Sequence, residues 1–181
     1  MKYSFAADRT LGKLTKWLRI LGFDTISESD IFNTGFYEHL EPERVLLTRT
    51  AKIRERTAGK RVVFIEADNV YEQLGQVIDE LALVPEDIRM FSMCRHCNFP
   101  IIEINKQTVY GRVPDYIWET HEEFSTCCQC ERIYWPGSHV ERSWTIIEKL
   151  FKQGYVKQPT AEYRISNRRI SKGGFALLSA F

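Results

Sequence analysis

Two Cys-x2-Cys pairs constrain the fold of this 181-residue chain more than any other feature. Cys94 and Cys97 form the first pair, and Cys127 and Cys130 form the second, with Cys128 inside it. Each pair turns its sulfur atoms to the same side, so four thiolates can surround one zinc ion with Zn–S bonds of about 2.3 Å. The spacing therefore predicts a closed structural zinc site, which leaves no open position for catalysis.

Residues near the pairs leave alternatives for the ligand set. Cys128 is interpreted as a bystander thiol, because the paired spacing already supplies four ligands. His96 and His121 are kept as alternatives that would each replace a cysteine. The loop between the pairs is longer than in a compact zinc ribbon, which predicts a hairpin insertion around residues 106–116.

The beginning of the chain carries no apolar leader, and no apolar run approaches the roughly 20 residues of a membrane-spanning helix. We therefore expect a cytoplasmic protein that does not enter a membrane. In that compartment cysteines bind metals more often than they form disulfides.

Strand and helix patterns alternate through the first half of the chain. We predict strands over residues 3–7, 25–26, 45–48 and 61–65, helices after Asp8 and over 51–57 and 69–83, and partial helix over 30–41. The alternation predicts a parallel sheet with helices on both faces. After residue 85 the pattern changes to short β-prone runs, at 100–104 and 108–110, followed by a helix over 138–151. The predicted fold is an α/β domain over 1–88, a β-rich zinc ribbon over 89–137, a helix over 138–152 and a basic tail over 153–181.

The helix after Asp8 has two distinct faces. Its apolar face is formed by Leu11, Leu14, Trp17, Leu18 and Leu21, and Gly22 is its natural stop. The opposite face carries Arg9, Lys13, Lys16 and Arg19, which form either a solvated surface or a phosphate-contacting one.

Acidic residues follow two of the predicted strands, where open parallel sheets bind their ligands. Asp8 follows the first strand, and Asp68 follows the strand that ends at Ile65. Converging carboxylates favour Mg²⁺ or Mn²⁺, although an aspartate at a strand end is also a common helix N-cap. Three other acids are expected near this edge: Asp30, Glu38 and Glu66. Thr48, Arg49 and Thr50 follow the third strand at the same edge. The threonine hydroxyls are interpreted as helix caps, and Arg49 either binds phosphate or pairs with an acid.

Net charge is +1, which argues against a chain that coats nucleic acid through bulk positive charge. The charge is unevenly distributed, at −3 over residues 1–88, −1 over 89–150 and +5 over 151–181. A slightly acidic body with a basic tail is compatible with a nucleic-acid partner.

The motifs together resemble one family. Residues 5–25 (FAADRTLGKLTKWLRILGFDT), LLTRT at 46–50, CRHCN at 94–98 and RIYWPGSH at 132–139 resemble the Mut-seven C-terminal RNase domain, a PIN-like ribonuclease domain followed by a zinc ribbon. The resemblance covers residues 3–146 in the same motif order. It implies metal-ligating acids at Asp8, Asp30 and Asp68, and zinc ligands at Cys94, Cys97, Cys127 and Cys130.

The chain departs from the family pattern after the third strand, and also in the second acidic region, where the family often has several acids and this chain has Asp30, Asn33 and Thr34. Where the family usually has Thr-Arg-Asp, this chain has Thr48, Arg49 and Thr50, so a metal-ligand carboxylate is absent. Either one metal suffices, with Thr50 serving through its hydroxyl or a water molecule, or the domain has lost catalysis and only binds.

The leading hypothesis is a metal-dependent endoribonuclease with a structural zinc and a catalytic Mg²⁺ or Mn²⁺. Residues expected to contact single-stranded RNA are Arg9, Lys13, Lys16, Arg49, Trp135, His139 and Arg142. The alternative is that Tyr134 and Trp135 pack the ribbon onto the first domain, while Ser138 caps the following helix. Two other hypotheses are a non-catalytic RNA- or ribosome-associated binding module and a protein-interaction adaptor.

Overall fold

The structure is a computed structural model that describes residues 3–30, 35–57, 59–153 and 176–177. The chain divides into two compact units, residues 1–98 and 99–181. The first contains a four-stranded parallel sheet and the second a four-stranded antiparallel sheet. The predicted α/β class is confirmed.

The parallel sheet is assembled from the four strands predicted in the first half of the chain. They are β1 (Phe5–Ala7), β2 (Thr25–Ser27), β3 (Val45–Thr48) and β4 (Val62–Phe64). Their order across the sheet is β2-β1-β3-β4. The residues of β1 and β3 are all buried, as expected for central strands covered on both faces.

Two helices pack against each other in the first unit, α1 (Gly12–Ile20) and α3 (Val70–Glu80). A short helix, α2 (Ala51–Arg56), follows β3. The apolar face predicted for α1 is confirmed: Leu14 and Leu18 are fully buried. The stop at Gly22 is also confirmed, because its φ of +91° and a backbone oxygen 2.2 Å from the position of an added Cβ exclude other residues.

The segment after β2 covers another part of the sheet. Phe36, Tyr37 and Leu40 pack on Ala6 and Leu46 in one buried cluster. The prediction of partial helix over residues 30–41 is wrong for the described part, 35–41, which forms turns. Gly35, with a φ of +107°, and Pro42 interrupt the backbone on either side, so no helix can extend.

The second unit is built on β5 (Ile101–Ile104), β6 (Phe124–Cys127), β7 (Ile133–Trp135) and β8 (Ala176–Leu177), in that order. Its helices are α4 (Asp115–Thr120) and α5 (Ser138–Gln153), and α5 was predicted. A buried cluster fills the space beside the sheet, formed by Val109, Val113, Ile117, Phe124, Ile133 and Trp135.

The hairpin insertion predicted around residues 106–116, with a strand at 108–110, is wrong. Lys106–Val109 forms a 3-10 turn, and α4 follows it. The carboxamide of Asn105 accepts from the Gln107 N–H at 2.8 Å, and the Thr108 hydroxyl donates to the Asn105 carbonyl at 2.7 Å. These bonds satisfy backbone groups that a strand would have left for a partner.

The predicted basic tail, residues 153–181, falls mostly outside the described residues. Within it, Ala176–Leu177 is a strand that pairs with β7. No helix in the described parts of the chain is both long and apolar enough to cross a membrane.

Candidate functional site

The carboxyl ends of β1, β2 and β3 meet at one edge of the parallel sheet. Backbone bonds continue the ladder beyond the strands, from Asp8 N–H to Leu47 O and from Glu28 N–H to Ala7 O, both 3.0 Å. β2 lies on one side of β1 and β3 on the other, so the chain order reverses here. Ligands of open α/β sheets bind at such a reversal. We call the polar residues at this edge the switch-point cluster: Asp8, Arg9, Glu28, Thr48, Arg49 and Asp68.

Asp8 is the buried centre of the switch-point cluster, with 0% exposure. Its Oδ2 accepts from the Thr48 hydroxyl at 2.5 Å and the Arg49 N–H at 2.9 Å. Its Oδ1 accepts from the Thr10 N–H at 2.8 Å and from the Thr10 hydroxyl, so Asp8 also caps the 3-10 turn that precedes α1. These four donors use all the lone-pair sites of the carboxylate. A cation can therefore bind Asp8 only by replacing one of these donors. Of the two hydroxyl donors, that of Thr10 is more exposed than that of Thr48.

Asp68 is joined to Asp8 through Arg49. The guanidinium of Arg49 pairs with the Asp68 carboxylate, while the Arg49 N–H binds Asp8. Asp68 is 92% exposed and open to solvent on its other sides. Thr50, the next residue, begins α2 as its N-cap and donates its N–H to the Thr48 hydroxyl at 3.0 Å. The structure thus brings Asp8, Asp68 and Thr50 to one edge, as expected from the sequence.

Glu28 belongs to the same edge and was missed from the sequence. Its carboxylate accepts from Arg9, through the backbone N–H at 3.1 Å and the guanidinium at 2.9 Å, and from the Tyr37 hydroxyl at 2.6 Å. The signal that would have found it is its position immediately after β2, equivalent to that of Asp8 after β1.

The hydrogen bonds of Glu28 determine its ionisation. Burial alone would raise the pKa of Glu28, but the bonds from Arg9 and Tyr37 outweigh it, and the pKa falls below its ordinary value. Burial and the bond to Glu28 raise the pKa of Tyr37. Glu28 is therefore an anion and Tyr37 a hydrogen-bond donor at neutral pH.

Asp30 makes different contacts from the other predicted acids. It forms an ion pair with Arg19, which was expected on the solvated basic face of α1. That expectation for Arg19 is wrong: its side chain is 3% exposed and donates to the carbonyl of Thr25 at 2.9 Å. A buried guanidinium needs such partners, because its five donors lose water on burial.

The other basic residues of α1 and of the 3-10 turn before it remain at the surface. Lys13 and Lys16 are exposed. Arg9 is 73% exposed although its guanidinium pairs with Glu28. These three cations and the partly exposed Arg49 are accessible to an anionic ligand.

Trp135 does not fit the RNA-contacting role expected for it. It is 5% exposed and packs among Val109, Val113 and Phe124, which leaves too little ring surface for base stacking. Trp135 is therefore a packing residue, but its partners belong to its own unit, whereas packing onto the first domain was the expected alternative. His139 and Arg142 are exposed in the first turns of α5.

The four paired cysteines form a metal-binding arrangement. The sulfur atoms of Cys94, Cys97, Cys127 and Cys130 all lie within 4.8 Å of one another. Sulfurs about 3.8 Å apart are required around a tetrahedral zinc ion with bonds of about 2.3 Å, so these residues can hold such a metal. Among the described residues, neither Cys128 nor a histidine joins this set.

The two cysteine turns have the same backbone geometry. The residue after each pair, Asn98 or Glu131, has a left-handed φ, of +63° and +55°. Its N–H donates to the carbonyl of the first cysteine of the pair, at 2.9 Å to Cys94 and 3.1 Å to Cys127. The N–H of Gln129 donates to the Cys127 sulfur at 3.4 Å. The repeated geometry supports a closed four-thiolate site.

The carboxylates do not converge as closely as the cysteines. Within the part of the chain that the structure describes, the cysteine set is the one group of three or more aspartate, glutamate, histidine or cysteine side chains placed to share an ion. The described switch-point cluster therefore offers a cation fewer than three converging side chains. Mg²⁺ commonly binds proteins through only one or two carboxylates, together with water molecules and substrate phosphates.

Comparison with known protein families gives one match. The family model described as the Mut7-C RNAse domain matches residues 3–147. The match includes the switch-point cluster and all four cysteine ligands. No curated protein and no solved structure matches the chain.

Proposed function

We propose that this chain, which belongs to the Mut7-C RNAse domain family, is a metal-dependent endoribonuclease that hydrolyses RNA phosphodiester bonds. The observation that carries the proposal is the contact series from Asp8 through Arg49 to Asp68, at the reversal of the sheet. Residues 1–88 form the nuclease domain and 89–137 the zinc ribbon in this proposal. The cytoplasmic location stays a prediction.

Asp68 and Asp8 are the residues proposed to hold one Mg²⁺ or Mn²⁺. When bound, such an ion lowers the pKa of a bound water and stabilises charge on the phosphate. Asp68 is the exposed, accessible ligand. Asp8 accepts from the Arg49 N–H and so fixes the position of Arg49, whose guanidinium pairs with Asp68. Glu28, an anion at neutral pH, is a candidate to orient the attacking water. Asp30 is less suited, because its carboxylate is paired with Arg19.

Cations beside the switch-point cluster are proposed to bind the RNA backbone. Arg9 is exposed in the 3-10 turn before α1, Lys13 and Lys16 are exposed in its first half, and Arg49 contacts both acids. An arginine can engage a phosphate with two parallel hydrogen bonds, while the lysines act as point charges. RNA phosphate would compete with Glu28 for Arg9 and with Asp68 for Arg49. Substrate binding would thereby release both carboxylates for the metal and water.

Single-stranded RNA is the proposed substrate form, because an exposed aromatic ring lies near the same edge. Tyr71, in the first turn of α3, is 40% exposed and packs edge-to-face on Trp17, with ring centroids 5.6 Å apart. A ring held in this way can stack an unpaired base, whereas bases in a duplex are stacked on one another. His139 and Arg142 are proposed as further phosphate contacts.

A second candidate function is a catalytically degenerate RNA- or ribosome-associated binding module. Two observations favour it: Thr50 replaces the family's usual aspartate, and the lone pairs of Asp8 are already used by chain donors. In this case the cations and the aromatic ring would bind RNA without cutting it.

An RNA cleavage assay separates the two candidates. End-labelled single-stranded RNA is incubated with the purified full chain and Mn²⁺ or Mg²⁺. Asp68→Asn is the sharper variant, because Asp68 is exposed and its loss leaves the core intact. Asp8→Asn would also abolish cleavage, but its NH₂ group would replace an oxygen that accepts two of the four hydrogen bonds to Asp8. Asp79→Asn, an exposed acid of α3 away from the cluster, is the matched control.

The nuclease proposal requires metal-dependent cleavage that Asp68→Asn abolishes and Asp79→Asn retains. Thr50→Asp restores the family carboxylate at an N-cap, where aspartate is well tolerated. An inert wild type with an active Thr50→Asp variant would establish the degenerate module. If the wild type and Thr50→Asp are both inert but both bind RNA, the nuclease proposal also fails.

A further inference from the structure

We infer that Arg19, a buried residue of α1, positions the first cysteine turn for its metal ion. The inference concerns the cysteine site alone and does not depend on RNA cleavage. Its basis is that Arg19 reaches the two residues lying between Cys94 and Cys97. The guanidinium donates to the carbonyl of Arg95 at 3.3 Å and to that of His96 at 3.0 Å.

The contacts of Arg19 attach the first cysteine turn to strand β2. Besides the two carbonyls of the turn, the side chain donates to the Thr25 carbonyl in β2 and pairs with Asp30. The guanidinium is rigid and planar, so binding one set of partners fixes the positions of the others. Arg19 thus holds the carbonyls of residues 95 and 96 at a set place relative to β2.

Asn98 makes an equivalent attachment at the other end of the turn. Its side-chain oxygen accepts from the Thr25 N–H at 2.8 Å, and its amide donates to Asp24 at 2.6 Å. Asn98 also has the left-handed φ that closes the turn onto the Cys94 carbonyl. The segment between Arg95 and Asn98 is therefore attached at both ends to the residues around Thr25.

The charge of Arg19 adds to its geometric effect. A zinc ion with four thiolates carries a net charge of −2. A guanidinium cation bound to the loop between two of those thiolates stabilises that negative charge, and its low exposure limits screening by solvent. A lysine at this position would keep the charge but lose the planar fork.

The inference also accounts for the contacts of Asp30. Its partly exposed carboxylate accepts from the Arg19 guanidinium and so holds the side chain that contacts the cysteine turn. Asp30 is therefore a support of the cysteine turn through Arg19. This explains why its contacts differ from those of the switch-point cluster.

Zinc affinity measured by competition with a colorimetric chelator tests the inference on the full chain. Partners that orient metal ligands typically change metal affinity by about 10- to 100-fold when removed. Arg19→Gln is expected to lower zinc affinity by that amount, and Arg19→Lys by less. Lys52→Gln, which removes an exposed cation from α2, should leave zinc affinity unchanged.

A second variant keeps the test decisive if Arg19→Gln does not fold. Asn98→Gly retains the left-handed backbone but removes both side-chain bonds, so it loosens the turn without opening the core around α1. Lower zinc affinity in Asn98→Gly, with the circular dichroism of the wild type, supports the inference. Wild-type zinc affinity in a folded Arg19→Gln variant, or in Asn98→Gly where Arg19→Gln is unfolded, would overturn it.

Discussion

The Thr48 hydroxyl donates to the Asp8 carboxylate at 2.5 Å, although forty positions separate the two residues in the chain. The bond exists because β1 and β3 are parallel neighbours, so their carboxyl ends lie side by side. Thr48 also accepts from the Thr50 N–H and thereby joins Asp8 to the start of α2. The central acid of the candidate nuclease site is therefore also a structural element of the sheet edge.

Thr48→Val is expected to destabilise the fold. Valine has nearly the shape of threonine but removes a buried donor to Asp8, and an unsatisfied buried acceptor costs about 1–3 kcal/mol. Urea unfolding followed by circular dichroism measures this free energy. Thr10→Val is the matched control: its hydroxyl also reaches Asp8 but is more exposed, so water can replace it. Equal losses in the two variants would contradict the assignment of Thr48 as the buried anchor.

Zinc content is expected to distinguish Cys94 from Cys128. Elemental analysis of the purified wild type should find about one zinc per chain. Cys94→Ser should lose the metal and unfold at lower temperature, because Cys94 is one of the four clustered thiolates. Cys128→Ser should keep both the zinc and the melting temperature, since Cys128 lies outside that set. Loss of zinc from Cys128→Ser would show that the ligand set differs from the one described.

Local patterns in the sequence predicted the elements with strong periodicity. The leucine spacing of α1 and the stop at Gly22 follow from steric rules that neighbouring elements do not change. The paired spacing of the cysteines predicted in the same way the four sulfurs that lie close enough together to hold a metal. The alternation of strand and helix predicted a parallel sheet, and therefore the edge at which Asp8 lies.

Features that depend on tertiary contacts could not be predicted in this way. Arg19 lies on the polar side of α1 by periodicity, yet the cysteine turn covers it and supplies carbonyl partners. Trp135 belongs to a motif shared with the family, and only its neighbours show that it packs in a core. Glu28 was overlooked because β2 is short and weakly patterned, so its end was not treated as a functional position.

Trp135→Ala is expected to lower stability. Removing a large buried aromatic side chain typically costs about 3–5 kcal/mol, from lost burial and the cavity left behind. Chemical denaturation of the zinc-loaded protein measures the change. Tyr116→Ala, which removes an exposed aromatic ring from the same unit, should change stability little. A Trp135→Ala variant of normal stability but weak RNA binding would restore the stacking role for Trp135.

Tyr71→Ala is expected to weaken binding of single-stranded RNA. Loss of one base–aromatic stack costs about 1–3 kcal/mol, and stability should fall little because the ring is partly exposed. Fluorescence anisotropy with a labelled homopolymer measures the affinity, with Asp68→Asn as background to prevent cleavage. Tyr71→Phe keeps the ring and should bind as the parent does. Equal affinity in the alanine and phenylalanine variants would exclude a stacking role.

Glu28→Gln is expected to change the pH dependence of stability. The hydrogen bonds from Arg9 and Tyr37 hold the pKa of Glu28 below its ordinary value of 4.5. Ionised Glu28 therefore stabilises the folded protein relative to the unfolded chain. That contribution is present above pH 4.5 and is lost as the pH falls through the lowered pKa of the folded protein. Glu28→Gln should therefore be less stable than wild type at about pH 7, and the difference should narrow towards about pH 3. Urea unfolding across this range measures it, with the exposed Glu43→Gln as control. A difference between wild type and Glu28→Gln that is constant with pH would contradict an ionised Glu28 held by Arg9.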